Sequence, residues 1–261
     1  MILPFLGRTA LSFLSYLGQL LLLVNETARA LVVSPIRWRL FFRQLVEVGF
    51  RSQLVVVVTG GFTGAVFAAQ TYFQFNRIGM ESAVGAVVAV SMFRELGPVL
   101  TGLMVAGRVG AAIAAELGTM KVTEQIDALR ALGVHPIDYL VVPRALALMI
   151  SMPILVAECC GLGILAGYFV GTKVLGISDA YYLNTMIKFT GARDIKMALT
   201  KGFVFGLLVV FIACHQGLNA KEGAVGVGRA PTEAVVIGSL SILIVNFFLS
   251  FALNIFYPGG V

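Results

Sequence analysis

Between Arg51 and Arg77 the chain carries no charged residue, and four further stretches are almost as free of charge. A helix that crosses a bilayer needs roughly 20 predominantly apolar residues, and each of these stretches meets that length. They place spanning helices over 53–75, 83–115, 145–172, 202–220 and 234–257. The second is interrupted by Arg94, Glu95 and Arg108, the third by Glu158 alone, and the last apolar run continues uncharged from Ala234 to Val261. Charged residues make up 12% of the 261, against about a quarter in a soluble domain. This excludes disorder, a disulfide scaffold and most soluble enzyme classes. The expected fold is an all-α integral membrane protein, one domain over 1–261 with five transmembrane helices.

The N-terminal region, 1–50, is different in kind. Leu11, Leu14, Leu17, Leu21 and Val24 recur at helical spacing, with Ser12, Ser15, Gln19, Asn25 and Glu26 off that stripe. The pattern predicts a helix lying in the membrane interface. Ala28-Arg29-Ala30 imitates a signal-peptide cleavage site, but polar breaks in the apolar region and the arginine inside the site argue against one.

Six arginines, Arg8, Arg29, Arg37, Arg39, Arg43 and Arg51, precede the first span, which points to a cytoplasmic N-terminus. With five spans the C-terminus then lies on the periplasmic side. The segments placed inside (1–52, 116–144 and 216–233) hold 11 basic residues, and those placed outside (76–82 and 173–201) hold 6. Within 173–201, Tyr181, Tyr182 and Met186 point to a short helix near the outer interface. Despite the net charge of +6, no stacking-aromatic pattern accompanies the arginines, so nucleic acid is not an expected partner.

Glycines at four-residue spacing (Gly60 and Gly64, Gly163 to Gly167 to Gly171, Gly202 and Gly206) let helix backbones approach closely, within the bundle or against a second copy. Gly161-Leu162-Gly163 follows no strand and is not a dinucleotide fingerprint. Cys159, Cys160 and Cys214 match no metal or redox spacing and serve as small apolar residues.

Arg94 and Glu95 fall roughly 17 Å along the second span at about 1.5 Å rise per residue, near the bilayer centre. A charge at that depth is a functional hypothesis by default. Adjacent helical residues point about 100° apart, so the two cannot hide each other. Pro98 has no N–H, so the carbonyl of Arg94 loses its helical partner and the helix is expected to kink. Two readings stay open: a polar lining for a pathway, or ion pairs to another helix that fix the packing. Arg108 lies nearer the inner end, where it can snorkel, and Glu158 stands alone near Pro153.

Between spans two and three, Val122, Ile126 and Leu129 form an apolar stripe beside Glu124, Asp127 and Arg130. Gly133 suits a C-cap, and His135-Pro136 stops the helix. A short amphipathic helix here can dock into a groove on a soluble partner or lie on the membrane as a connector.

Arg94-Glu95-Leu96-Gly97-Pro98, Ala106-Gly107-Arg108 and the run Glu116–Pro136 closely resemble the MlaE permease family of bacterial phospholipid ABC transporters. The resemblance covers nearly the whole chain, including the Gly226-Val-Gly-Arg229 loop before the last span; Glu158 is outside the family pattern. It implies a homodimeric permease of the bacterial inner membrane that moves phospholipid between inner and outer membranes and maintains outer-membrane lipid asymmetry. The segment 119–133 would be the coupling helix for a cytoplasmic ABC ATPase, with Glu116, Lys121, Glu124, Asp127 and Arg130 as coupling residues. Arg94, Glu95 and Pro98 would line the lipid pathway, with Phe67, Tyr72 and Phe251 as wall residues. The implied partners are a second permease copy, the ATPase, a periplasmic MCE-domain protein and a STAS-domain protein.

The chain contains no Gly-x-x-x-x-Gly-Lys-[Ser/Thr] loop, so ATP hydrolysis falls to a separate subunit. It is not expected to be an enzyme, or to hold a cofactor or metal. An ion-coupled secondary lipid transporter, relaying protons through Arg94, Glu95 and Glu158, is the alternative; it calls for duplicated halves, and no clear repeat is present. A lipid-modifying intramembrane enzyme would need clustered acids and bases, whereas His135 and His215 lie at loop edges.

Overall fold

The computed structural model describes residues 2–256 apart from 34, 36 and 222. Eleven α-helices follow in order among the described residues: α1 (Ile2–Val33), α2 (Trp38–Val48), α3 (Gln53–Asn76), α4 (Val84–Ser91), α5 (Gly97–Val105), α6 (Ala111–Val122), α7 (Gln125–Ala131), α8 (Val142–Phe169), α9 (Asp179–Phe189), α10 (Ala192–Leu218) and α11 (Ala224–Phe256). No strand occurs among them, so the chain is an all-α membrane protein as expected. Short π-helical turns join α4 to α5 (Met92–Leu96) and α5 to α6 (Ala106–Gly110), making Glu81–Val122 one long helical stretch.

Six helical stretches, not five, are long and apolar enough to cross a membrane. The extra one, Leu14–Val33, belongs to α1, expected as an interfacial helix. Leu11, Leu14, Leu17 and Leu21 face outward, while Leu23, Thr27 and Ala30 on the other face dock against the bundle. The stripe predicted to include Val24 therefore splits, because Val24 packs on the core. The rest of the N-terminal region forms the separate amphipathic helix α2, which buries Phe41 and Val48.

Other boundaries shift for physical reasons. The segment 119–133 is not one helix. Residues 119–122 complete α6, and Glu124, at φ 58°, is left-handed and breaks the chain before α7. The loop predicted at Gly226–Arg229 is helical and opens α11. The fourth span begins at Ala192 rather than 202, because Asp194 and Lys201 have partners inside the bundle. Position 257, the predicted end of the last span, lies outside the described residues. The helix expected around Tyr181, Tyr182 and Met186 is α9, and Gly133 takes the positive φ of a C-cap glycine.

The core is built on α8, which packs against α2, α3, α5 and α10. Helices α3 and α8 run parallel. A Cβ on Gly60 would strike Cys159, one on Gly64 would overlap the backbone of Gly163, and one on Gly167 would meet Val88 and Gly64. Gly202 and Gly206 let α10 approach Pro153 and Met152 of α8 in the same way. The glycine ridges thus serve packing inside one chain, which lipid cannot drive hydrophobically. Cys159, Cys160 and Cys214 are free thiols buried in this core.

Candidate functional site

The π-helical turn Met92–Leu96 carries Arg94 and Glu95. Such turns insert an extra residue into a helix and re-aim the side chains around them. The Cys160 thiol donates to the Met92 carbonyl at 3.3 Å, tying the start of this turn to α8.

Both charges are paired across to α10, but to different residues. Arg94 Nε lies 2.6 Å from Asp194 Oδ1, and Glu95 Oε1 lies 3.0 Å from Lys201 Nζ. The Glu95 carboxylate also accepts from Asn246 Nδ2 at 2.8 Å and from Ser250 Oγ at 2.9 Å, both on α11. Lys201 places its three ammonium hydrogens on Glu95, Ser250 Oγ and the main-chain carbonyl of Arg94. The last bond answers the prediction about Pro98: the carbonyl that Pro98 cannot serve is served by Lys201. Asp194 is likewise fully used, because its Oδ2 accepts from the Gly191 N–H at 3.0 Å and caps α10.

The four charges sum to zero, which keeps the cost of holding them in the apolar layer down. The network is not sealed, however. Lys201 and Asp194 are buried, whereas the Arg94 and Glu95 side chains are 35% and 47% exposed. A single chain therefore buries the partner charges on α10 and leaves those of the second span partly open.

The predicted wall residues lie on two helices. Phe67 and Tyr72 lie on α3 and pack against the core, whereas Phe251 lies outward on α11 beside Phe247, with ring centroids 5.0 Å apart. Glu158 is bonded to Gln53 of α3 at 3.1 Å, whereas the partners of Glu95 lie on α10 and α11.

The predicted coupling residues divide into three sets. Lys121 Nζ and Arg130 Nη1 both approach Asp127, at 3.6 and 2.9 Å, forming an exposed cluster on the α6–α7 corner. Glu124 is the hinge of that corner. Glu116 turns back to the bundle, 2.7 Å from Arg144 Nη2, and Arg144 is buried and also donates to the Leu140 carbonyl. Lys121 and Arg130 line a cavity of about 710 Å³ together with Glu26, His135 and His215. Arg108 donates to Ser52 Oγ at 2.6 Å and does not simply snorkel.

Sequence reasoning missed Asp194, Lys201, Asn246, Ser250 and Arg144. In the sequence Lys201 bounds the uncharged run 202–220, and Asp194 lies outside that run. Their spacing of seven on one helix, which places both on the same face, was the available signal.

The fold and site define a multi-pass helical membrane protein with a neutralised charge network on its 81–122 span. The chain belongs to the MlaE permease family: the family model for permease MlaE matches residues 41–252. Relatives agree. A protein of Rickettsia conorii named "Probable ABC transporter permease protein" is 44% identical over 94% of both chains. One of the same description from Synechocystis is 44% identical over 79% of both. The chloroplastic protein trigalactosyldiacylglycerol 1 of Arabidopsis thaliana is 37% identical over 92% of this chain and 67% of its own. The chain is thus of the ABC transporter permease kind, the membrane-embedded part of such a transporter.

Proposed function

We propose that this chain is the permease through which a phospholipid ABC transporter of the bacterial inner membrane moves lipid between the inner and outer membranes, so maintaining outer-membrane lipid asymmetry. The observation that carries this reading is the half-open network of Arg94 and Glu95, held from behind by Asp194 and Lys201. Its open side offers a guanidinium and a carboxylate to a zwitterionic or anionic lipid head, within a surface otherwise apolar enough for acyl chains. The Arabidopsis relative is named for a diacylglycerol lipid, which favours a lipid cargo.

Two permease copies would close the open side, bringing Phe251 of α11 and the Phe67 and Tyr72 face of α3 into one pathway. The corner built by Lys121, Asp127 and Arg130, with Glu124 as its hinge, would dock on a cytoplasmic ABC ATPase, which hydrolyses the ATP. A periplasmic MCE-domain protein and a STAS-domain protein complete the assembly. With α1 lying in the interface and the other five stretches crossing, the N-terminus would be cytoplasmic and the C-terminus periplasmic.

The test is transfer of labelled phospholipid by proteoliposomes holding the permease and its ATPase. ATP-dependent transfer, lost in Glu95→Gln with assembly intact, is expected. Transfer that ignores ATP and stops when a proton gradient is collapsed would overturn the reading in favour of an ion-coupled transporter.

A further inference from the structure

The face between α3 and α8 holds an acid that the charge network does not use. Gln53 Nε2 donates to Glu158 Oε1 at 3.1 Å, while Glu158 Oε2 is buried with no hydrogen-bond partner among the described residues. An ionisable group within a membrane span is a site by default, and this one lies at a cavity. Gln53, Val57, Glu158 and Leu165 line a space of about 520 Å³.

That space joins two others. Toward the start of α3 it shares Gln53 with a cavity of about 240 Å³, where the Ser151 hydroxyl is also buried without a partner. In the other direction it shares Val57 and Leu165 with a cavity of about 460 Å³ that is apolar throughout and ends at Val170. Through these shared wall residues the three line up along the α3–α8 face as a groove, with the polar groups of Gln53, Glu158 and Ser151 at its foot and an apolar shaft above.

The position of the foot follows from helix geometry. Gly60 lies opposite Cys159, so Glu158 starts about two turns beyond Gln53 along the parallel pair. Helical side chains lean toward the N-terminus, so the carboxyl reaches back to Gln53, the first residue of α3 and two positions beyond exposed Arg51. On α3 the foot therefore lies near the start of the uncharged run that follows Arg51, while on α8 it lies inside the third apolar run. From Glu158 to Val170 the shaft runs about 18 Å, close to the roughly 15 Å half-thickness of a bilayer core.

We propose that this groove binds one aminophospholipid from the adjoining leaflet. Its primary ammonium donates to Glu158 Oε2, and one acyl chain lies along the shaft. The proposal does not rest on transport through the Arg94–Glu95 network, which uses α10 and α11.

The test uses the purified full-length chain, equilibrated in detergent with equimolar phosphatidylethanolamine and phosphatidylcholine of identical acyl chains, and native mass spectrometry of what stays bound. The quaternary head has no N–H, so wild type is expected to retain the ethanolamine lipid about tenfold better. Glu158→Gln is expected to abolish the preference. Gly61→Phe, placed where a Cβ meets no atom within 4 Å, is expected to fill the shaft and lower retention of both lipids while the unfolding temperature holds. Equal retention by wild type, or an undiminished preference in Glu158→Gln, overturns the proposal. So does a lipid-free dimer that Gly61→Phe splits, because a second copy would then occupy the groove. Absence of ATP-driven lipid transfer would defeat the transport reading and leave these outcomes unchanged.

Discussion

Lys201 donates its ammonium to the main-chain carbonyl of Arg94, the carbonyl that Pro98, four residues on, has no N–H to reach. One side chain from α10 thus repairs a defect that proline makes in the second span, and the same ammonium neutralises Glu95. Backbone irregularity and charge, which look like two oddities in the sequence, are one construction. Replacing Lys201 with Met removes both services and leaves the half-exposed Glu95 carboxylate to Asn246 and Ser250. A loss of about 1–3 kcal/mol is expected, below the range for a fully buried pair because Glu95 keeps these donors and reaches the open side. Thermal unfolding of the purified variant measures it. Adding Glu95→Gln should recover part of the loss; a double variant as unstable as the single one would show that the pair is not what Lys201 serves.

Asp194 allows a finer dissection, since its two oxygens do different work. Asp194→Asn keeps an oxygen to cap the Gly191 N–H but gives up the ion pair with Arg94, and Asp194→Ala gives up both. The alanine variant is expected to be less stable than the asparagine variant by about 1 kcal/mol, the worth of a helix N-cap. Equal stabilities by denaturant titration would mean that the cap contributes nothing.

The α3–α8 contact predicts opposite outcomes for two neighbouring glycines. Gly64→Ala would drive a methyl into the backbone of Gly163, which cannot move aside cheaply, whereas Gly61→Ala adds one to open space. Overpacking of this kind costs typically about 1–3 kcal/mol, so Gly64→Ala should lose monodisperse expression in size-exclusion chromatography. Gly61→Ala should stay within about 0.5 kcal/mol of wild type.

How much of this was legible beforehand follows from what each residue signals on its own. The spans announce themselves, because long apolar runs have few alternatives. Arg94, Glu95 and Pro98 stand out because charge and proline are anomalous there. Asp194 and Lys201 were hidden for the opposite reason. Charges at the end of an apolar run look like the ordinary edge of a membrane, and only their partners on the second span reveal that the helix starts a full ten residues earlier. Asn246 and Ser250 carry no charge and gave no cue at all. The break at Glu124 was invisible because a left-handed glutamate has no sequence signature, unlike Gly133 with its positive φ.

That corner supports a prediction about docking. Asp127 holds Lys121 and Arg130, and all three are substantially exposed, so their pairing adds little to stability. Asp127→Arg should therefore shift the unfolding temperature very little while it replaces the acid that pairs with Lys121 and Arg130 with a third cation on the corner proposed to meet the ATPase. Co-purification of the ATPase subunit is expected to fall about tenfold or more, the scale of a charge reversal at an interface. A variant that keeps wild-type ATPase binding and stimulated ATP turnover would remove this corner from the coupling surface.

Tyr182 of α9 provides a test by pH. Its ring fits between Gly85 and Gly171 and meets Tyr168 edge-on, while its hydroxyl is buried without a partner among the described residues. Burial pushes its pKa up from 10.0 to about 12. The folded state therefore resists the deprotonation that the unfolded chain undergoes freely. The tyrosine's contribution is intact below pH 10 and is lost as the pH rises from 10 toward 12. Tyr182→Phe keeps the ring and removes a hydroxyl that has nothing to bond to, so it should be neutral or stabilising by up to about 1 kcal/mol at neutral pH. Its unfolding temperature should also fall less steeply than that of wild type between pH 10 and 12. Parallel alkaline melting curves for the two proteins would show that the hydroxyl is not buried in the way the structure has it.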